Sequence, residues 1–219
     1  VYLHCMWDCI VVGLGGMGGA ALFSLARRGA KVLGIEQFSV GHDKGASHGQ
    51  TRIIREAYFE HPSYVPLLRR AYTLWDELAI QSQKNLFHRT GLVYFGKEDS
   101  AVLRGVEQSA SLYQIPVEKF SPQQTQMIYP GLTPPPNYRA LLERNAGFLE
   151  VENCVRAFAD GARALKADVC ENEPVLSFEE EKNGVCVRTA KGQYRAKKLI
   201  LTQGPWSQAF VPQIQLHRQ

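Results

Sequence analysis

The sequence predicts an α/β protein in which a parallel-sheet domain is interrupted by a β-rich, α+β segment. A strand, glycine turn, helix and second strand open the chain, a long polar loop and an amphipathic helix follow, and a late apolar strand closes in Thr202-Gln203-Gly204. With 219 residues, 45% of them hydrophobic and 21% charged, the chain can bury one large core or two small ones.

Residues 8–13 (DCIVVG) read as a short buried strand, 13–19 as a turn, and 17–28 as a helix with Leu22, Leu25 and Ala26 on one side. Gly29 stops that helix, and 31–36 (KVLGIE) form a second strand, so the unit is βαβ with parallel strands and a right-handed crossover. Residues 37–50, rich in glycine, serine and histidine, read as a loop. Helical spacing of Tyr64, Leu67, Leu68, Ala71, Leu74, Trp75 and Leu78 predicts a helix over 63–79.

Residues 86–95 read as one strand, 102–113 as a helix and 133–137 (TPPPN) as an extended loop. A second organised region opens at Gly147, with a helix over 152–165 and short strands at 167–170 and 174–178. Strands at 184–190 and 193–195 flank a Lys191-Gly192 hairpin turn. A last strand, 198–203, runs into Gly204-Pro205-Trp206, where a short helix starts. The expected domain order is a nucleotide-binding first segment over 1–85, a substrate-domain part over 86–146 and a second nucleotide-binding segment over 147–210. Residues 211–219 then begin a C-terminal half that is missing.

Composition narrows the function classes. The net charge of +4 comes without a block of like charge, and Lys191, Arg195, Lys197 and Lys198 alternate with apolar residues as on an exposed strand face. No nucleic-acid partner is expected. Cys5, Cys9, Cys154, Cys170 and Cys186 are odd in number and irregularly spaced, which points to reduced thiols in an intracellular protein. Cys5 and Cys9 beside His4 lack a second ligand pair at zinc-like spacing, so no metal is expected. The uncharged run 9–26 holds five glycines and has no basic segment before it, which argues against a membrane or signal helix. Met6 is a plausible start, with 1–5 an unexplained extension.

The chemistry begins at Gly13-Leu14-Gly15-Gly16-Met17-Gly18, a G-x-G-x-x-G run between predicted strand and helix. The first glycine permits a tight turn, the second lets backbone approach a pyrophosphate, and the third lets helix pack on strand. The helix start adds free N–H groups and a favourable dipole. Glu36, ending the next strand, is placed to accept hydrogen bonds from ribose hydroxyls. Together they predict dinucleotide binding in a Rossmann-like domain, against the plain alternative of a glycine-rich loop with a solvated acid. Glu36 disfavours a 2′-phosphate but does not separate NAD from FAD.

Two features favour FAD. The nucleotide pattern is interrupted after its second strand, and it returns late with a strand closing in T-x-G, as in flavoproteins whose nucleotide domain carries an inserted substrate domain. The run Gly45-Ala46-Ser47-His48-Gly49-Gln50-Thr51-Arg52-Ile53-Ile54-Arg55 follows, then Ala57-Tyr58 and Tyr64-Val65-Pro66-Leu67. With Thr90-Gly91, Asn153 and Gly204-Pro205-Trp206, this run resembles the monomeric and peroxisomal sarcosine oxidase family. Its members are N-methyl-amino-acid oxidases among the D-amino-acid-oxidase-like FAD-dependent oxidoreductases. The resemblance runs from about Trp7 to the last residue and matches the family's N-terminal half.

That resemblance implies residue roles. Arg55 matches the arginine that binds the substrate carboxylate. Arg52 matches one beside the flavin ring and His48 a nearby histidine, making these two the catalytic candidates. The implied FAD contacts are Gly13, Gly15, Gly16, Met17, Gly18, Glu36, Gln37, Ser47, His48, Thr51, Arg52, Val175, Gly204 and Trp206. Some members carry two adjacent histidines where this chain has Ser47-His48. Residue chemistry agrees: a guanidinium is the bidentate partner of an amino-acid carboxylate, and a second fixed cation near the ring favours its reduction. The plain alternative is that Arg52 and Arg55 are solvated charges and His48 an idle loop histidine.

The implied reaction is oxidation of a small secondary amino acid by FAD and dioxygen. The amine becomes an imine, which hydrolyses to aldehyde and amine, and hydrogen peroxide is released. In the resembled family the cysteine that holds the flavin covalently, a lysine for the oxygen reaction and a further basic residue lie in the second half. None of the five cysteines here matches the attachment position. A complete protein is expected to be a monomer, cytoplasmic or peroxisomal, with a small amine and dioxygen as its partners. The alternatives are a D-amino-acid or glycine oxidase-like flavoprotein, an NAD-dependent dehydrogenase, and an inactive fragment with weak nucleotide binding.

Overall fold

The structure is a computed structural model and describes residues 6–210. Expectations for 1–5, including Cys5, and for 211–219 lie outside the described residues. The chain opens with β1 (Trp7–Val12), α1 (Gly16–Arg27), β2 (Val32–Ile35) and β3 (Thr51–Ile54), followed by α2 (Val65–Ser82). Next come β4 (Phe87–His88), β5 (Leu92–Lys97), α3 (Ala101–Tyr113), β6 (Glu118–Phe120) and α4 (Pro122–Ile128). The remainder is β7 (Tyr138–Glu143), β8 (Gly147–Glu150), α5 (Val151–Ala164), β9 (Asp168–Cys170), β10 (Val175–Glu181), β11 (Gly184–Thr189) and β12 (Gln193–Leu201).

Two compact units result, one of residues 1–51 with 150–219 and one of residues 52–149. The first is built on a six-stranded sheet in the order β10-β11-β12-β1-β2-β9. β12, β1, β2 and β9 run parallel, while β10 and β11 join antiparallel at one side. Strands buried on both faces read as near-continuous apolar runs, and Ile10, Val11, Val32, Leu33 and Ile35 are all buried. Helices α1 and α5 pack together, bringing the Phe23 and Phe158 rings within 6.0 Å.

The second unit holds two three-stranded sheets, β3-β8-β4 and β5-β7-β6. Its core gathers Ala57, Val65, Tyr94, Leu103, Val106, Ile115 and Leu141, with Phe59 packed against them.

Several elements depart from the sequence expectation. The compact units change over after residues 51 and 149, whereas the sequence reading sets its domain segments at 85 and 146. The single strand expected over 86–95 is two strands in different sheets, split where Gly91 takes a φ of +77°. The strands expected at 193–195 and 198–203 are one strand, β12. β3, β6, α4, β7 and β8 were not expected. For α4 a readable signal existed, since Ser121 and Gln124 form a capping box with Pro122 in the first turn.

Candidate functional site

The chain turns out of β1 at Gly13, whose φ is +88°. A Cβ there would lie 2.7 Å from the Thr202 carbonyl oxygen, so only glycine fits the bend. Gly18 is tighter, because its Cβ would stand 1.8 Å from the Gly13 carbonyl oxygen. The single Thr202 hydroxyl proton is shared between the Gly13 carbonyl oxygen at 2.8 Å and the Val12 carbonyl oxygen at 3.0 Å. Helix α1 then starts at Gly16, with Gly15, which has no side chain, as its cap. The Gly16 N–H donates to Ser47 Oγ at 2.9 Å, bringing the polar loop onto the helix start.

Glu36, only 3% exposed, closes the other side. One carboxylate oxygen accepts from the Leu14 N–H at 2.7 Å and the other from the Phe38 N–H at 3.1 Å. His42 Nε2 lies 3.5 Å from that second oxygen. Its Nδ1 accepts from the Lys44 N–H at 3.0 Å, so in the neutral ring the proton sits on Nε2, toward Glu36. The His42 ring is edge-on to Phe38 at 4.8 Å and to Trp206 at 6.4 Å, forming an aromatic wall.

These groups line one cavity within the first unit. Of the residues singled out in the sequence, Gly13, Gly15, Gly16, Met17, Glu36, Gln37, Ser47, Gly204 and Trp206 are among its lining. Gly18 lies behind the bend. Val175 does not line the cavity, because it opens β10 and packs on the sheet's core cluster. His48 and Thr51 are exposed and also outside the lining. Sequence reasoning missed His42 and Leu14, which touch Glu36, and Thr202, which clamps the bend. The late T-x-G was the available signal for Thr202, whereas nothing local marked His42 over His48.

Among the described residues, the cavity lining contains no lysine or arginine. A diphosphate bound there would rest on first-turn N–H groups, which have no partners within the helix. Bare glycine backbone at the helix start, the Ser47 hydroxyl and the spare lone pairs of Glu36 suit the diphosphate and ribose of a dinucleotide.

Arg52 and Arg55 belong to the second unit. Arg52 is an exposed residue of β3. Arg55, whose side chain is 19% exposed, donates from Nη2 to both Glu60 oxygens at 2.9 and 3.2 Å. Its guanidinium lies over the Tyr58 ring at 4.4 Å and near the Phe59 ring at 5.2 Å, and its Nε is buried without a partner.

Elsewhere, ligand atoms of Glu179, Glu181 and Cys186 lie within 4.8 Å of one another. Both carboxylates are engaged, by Arg188 and by Arg195, so the group reads as a cross-strand charge ladder. Among the described residues, Cys9, Cys154, Cys170 and Cys186 form no disulfide. Among the described residues no helix is long and apolar enough to cross a membrane.

The glycine bend, the helix start and the buried acid after β2 define an α/β unit of the Rossmann kind. The family described as FAD dependent oxidoreductase matches residues 8–219, and the chain belongs to that family. It is 38% identical over 208 residues to an N-methyl-L-tryptophan oxidase of Citrobacter koseri, covering 95% of this chain and 56% of that one. Over 211 residues it is 38% identical to a monomeric sarcosine oxidase of a Bacillus species, covering 96% of this chain and 54% of the relative. The chain thus spans about half the length of the curated relatives it matches. Among solved structures, a Tyr-to-Phe mutant of NikD, an unusual amino acid oxidase essential for nikkomycin biosynthesis, superimposes with a TM-score of 0.84. It is 26% identical, covering 95% of this chain and 54% of that one. Glycine oxidase from Geobacillus kaustophilus, at 22% identity and a TM-score of 0.80, shares the fold over 96% of this chain and 59% of its own.

Proposed function

We propose that the protein takes part in FAD-dependent oxidation of a small secondary amino acid, with dioxygen as electron acceptor. FAD, when bound, would supply the redox chemistry: the amine loses two electrons and two protons to become the imine, and dioxygen takes up two electrons and two protons to become hydrogen peroxide. The amide groups at the start of α1, the Ser47 hydroxyl and Glu36 hold its diphosphate and ribose. Gly13, Gly15, Gly16, Met17, Gln37, Gly204 and Trp206 shape the surrounding surface. Arg55 binds the substrate carboxylate, and Arg52 supplies a second fixed cation. His48, in the exposed loop before β3, and Thr51, which opens β3 beside Arg52, remain candidates, and Val175 packs on the sheet core outside the cavity lining.

The observation that carries this reading is the environment of Arg55. Its guanidinium lies over one aromatic ring and beside a second, and already holds a carboxylate, that of Glu60, by two contacts. Both contacts come from Nη2 alone and Nε has no partner, so a substrate carboxylate that displaces Glu60 can take the paired geometry a guanidinium offers. The names of relatives support an N-methylated substrate, whose imine would hydrolyse to an aldehyde and a primary amine.

The test is to load the protein with FAD and compare peroxide formation from sarcosine, N-methyl-L-tryptophan and glycine. Turnover of an N-methylated substrate with little from glycine supports the proposal. Preference for the primary amino acid replaces it with a glycine oxidase-like reading, and protein that takes up no FAD ends both.

A further inference from the structure

A buried carboxylate that plays no part in the chemistry above sits directly behind Arg55. Glu143 ends β7 and is 0% exposed. One of its oxygens accepts from the Glu56 N–H at 2.6 Å, and the other accepts from the Ala57 N–H at 3.1 Å and the Tyr94 hydroxyl at 2.9 Å. Burial, and then the charge of Glu143, push the Tyr94 hydroxyl well above its ordinary range, which keeps it a donor. Such a carboxylate is retained inside a core only when its lone pairs are met, and here three donors meet them.

The two amides it grips follow Arg55 immediately in the chain. They fix the direction in which the backbone leaves β3, and hence where the Arg55 side chain starts. The segment beyond is held as firmly. Tyr58 N–H donates to the Glu56 carbonyl at 2.8 Å, Ser109 Oγ donates to the Tyr58 carbonyl at 2.5 Å, and Gly105 lets helix α3 lie against the Phe59 backbone. Tyr58 and Phe59 are the rings that carry the guanidinium. The Glu56 side chain is drawn off to Arg69 at 2.6 Å, which leaves Glu60 as the carboxylate that a substrate displaces from Arg55.

We infer that Glu143 is the positioning residue for Arg55: by holding the amides of Glu56 and Ala57 it presets the guanidinium for a substrate carboxylate. This rests on the reading of Arg55 as the carboxylate anchor. A side-chain amide in place of the carboxylate keeps one acceptor and turns an NH2 group toward the remaining donors. The segment then relaxes, and the anchor loses its preset geometry.

The test uses the FAD-loaded protein and a double-mutant cycle read in KM, kcat and flavin content. Glu143→Gln raises KM for sarcosine by about tenfold and leaves kcat and FAD content within about twofold. In an Arg55→Ala background the same change adds no further rise, because the group it positions has gone. Tyr94→Phe, which removes one donor and keeps the carboxylate, gives a smaller rise that vanishes in the same background. It carries the test by itself if E143Q yields no folded protein. A KM that rises equally with and without Arg55, or does not rise in either variant, overturns the inference. A KM unmoved by R55A alone overturns the carboxylate-anchor reading, and this inference with it. A KM raised by R55A but not by E143Q or Y94F overturns the positioning role only.

Discussion

Thr202 donates its hydroxyl to the Gly13 carbonyl oxygen at 2.8 Å, tying the residue after β12 to the bend after β1. The same oxygen would stand 1.8 Å from a Cβ at position 18, so bend, helix and late strand meet with no space to spare. Nucleotide binding at the cavity depends on this joint, because it aims the start of α1.

Gly18→Ala forces that joint apart. Overpacking of this kind costs about 1–3 kcal/mol. The expected result is a lower thermal midpoint and loss of most bound FAD, read by differential scanning calorimetry and flavin absorbance. Wild-type flavin content in G18A would remove the joint from the account of binding.

Thr202→Val keeps the shape and deletes the donor. A net loss of about 1 kcal/mol in stability is expected, measured by urea unfolding. Flavin affinity should fall less than in G18A, since the glycine backbone is untouched.

Glu36→Gln removes the charge proposed to face the ribose and leaves an NH2 group against the Leu14 or Phe38 N–H. FAD affinity should fall about 10–100-fold, read by quenching of flavin fluorescence during titration. Unchanged affinity would place the ribose elsewhere.

Glu107 gives a pH dependence with a definite sign. The Arg139 guanidinium, in paired contacts of 2.7 Å, and then Lys119 hold its carboxyl down to about 2, below the ordinary 4.5. A lowered folded pKa stabilises the fold at pH above 4.5, and that contribution disappears as pH falls toward 2. Solvent screening reduces the gain to about 1–2 kcal/mol. E107Q should therefore be less stable than wild type at pH 7 in urea unfolding, with the gap closing between pH 4.5 and 2.

Cys154 should resist alkylation. Burial, helped by the Glu150 charge, pushes its thiol up to about 12, leaving almost no thiolate at pH 8. Iodoacetamide followed by mass spectrometry should find Cys154 unlabelled in native protein and labelled after unfolding. Rapid labelling of native protein would contradict its burial.

Local sequence carried whatever depends on near neighbours. The glycine spacing, the apolar run of β1 and the acid ending β2 announce a nucleotide bend because turn, strand and helix are each set within a few residues. For Arg55, the resemblance of the surrounding run implied a carboxylate partner, and guanidinium chemistry agreed. Short strands such as β3, β7 and β8 carry weak or no alternation, so they passed unseen until pairing placed them in sheets.

What only the folded chain decided are contacts between distant residues. Thr202 reaches Gly13 across 189 positions, and Glu143 reaches the Glu56 amide across 87. His42 rather than His48 approaches Glu36, because the turn to Lys44 and the Phe38 and Trp206 rings orient it. Hydrogen bonds of that span leave no periodicity or spacing in the sequence. They exist only once sheet and helix packing bring donor and acceptor within about 3 Å.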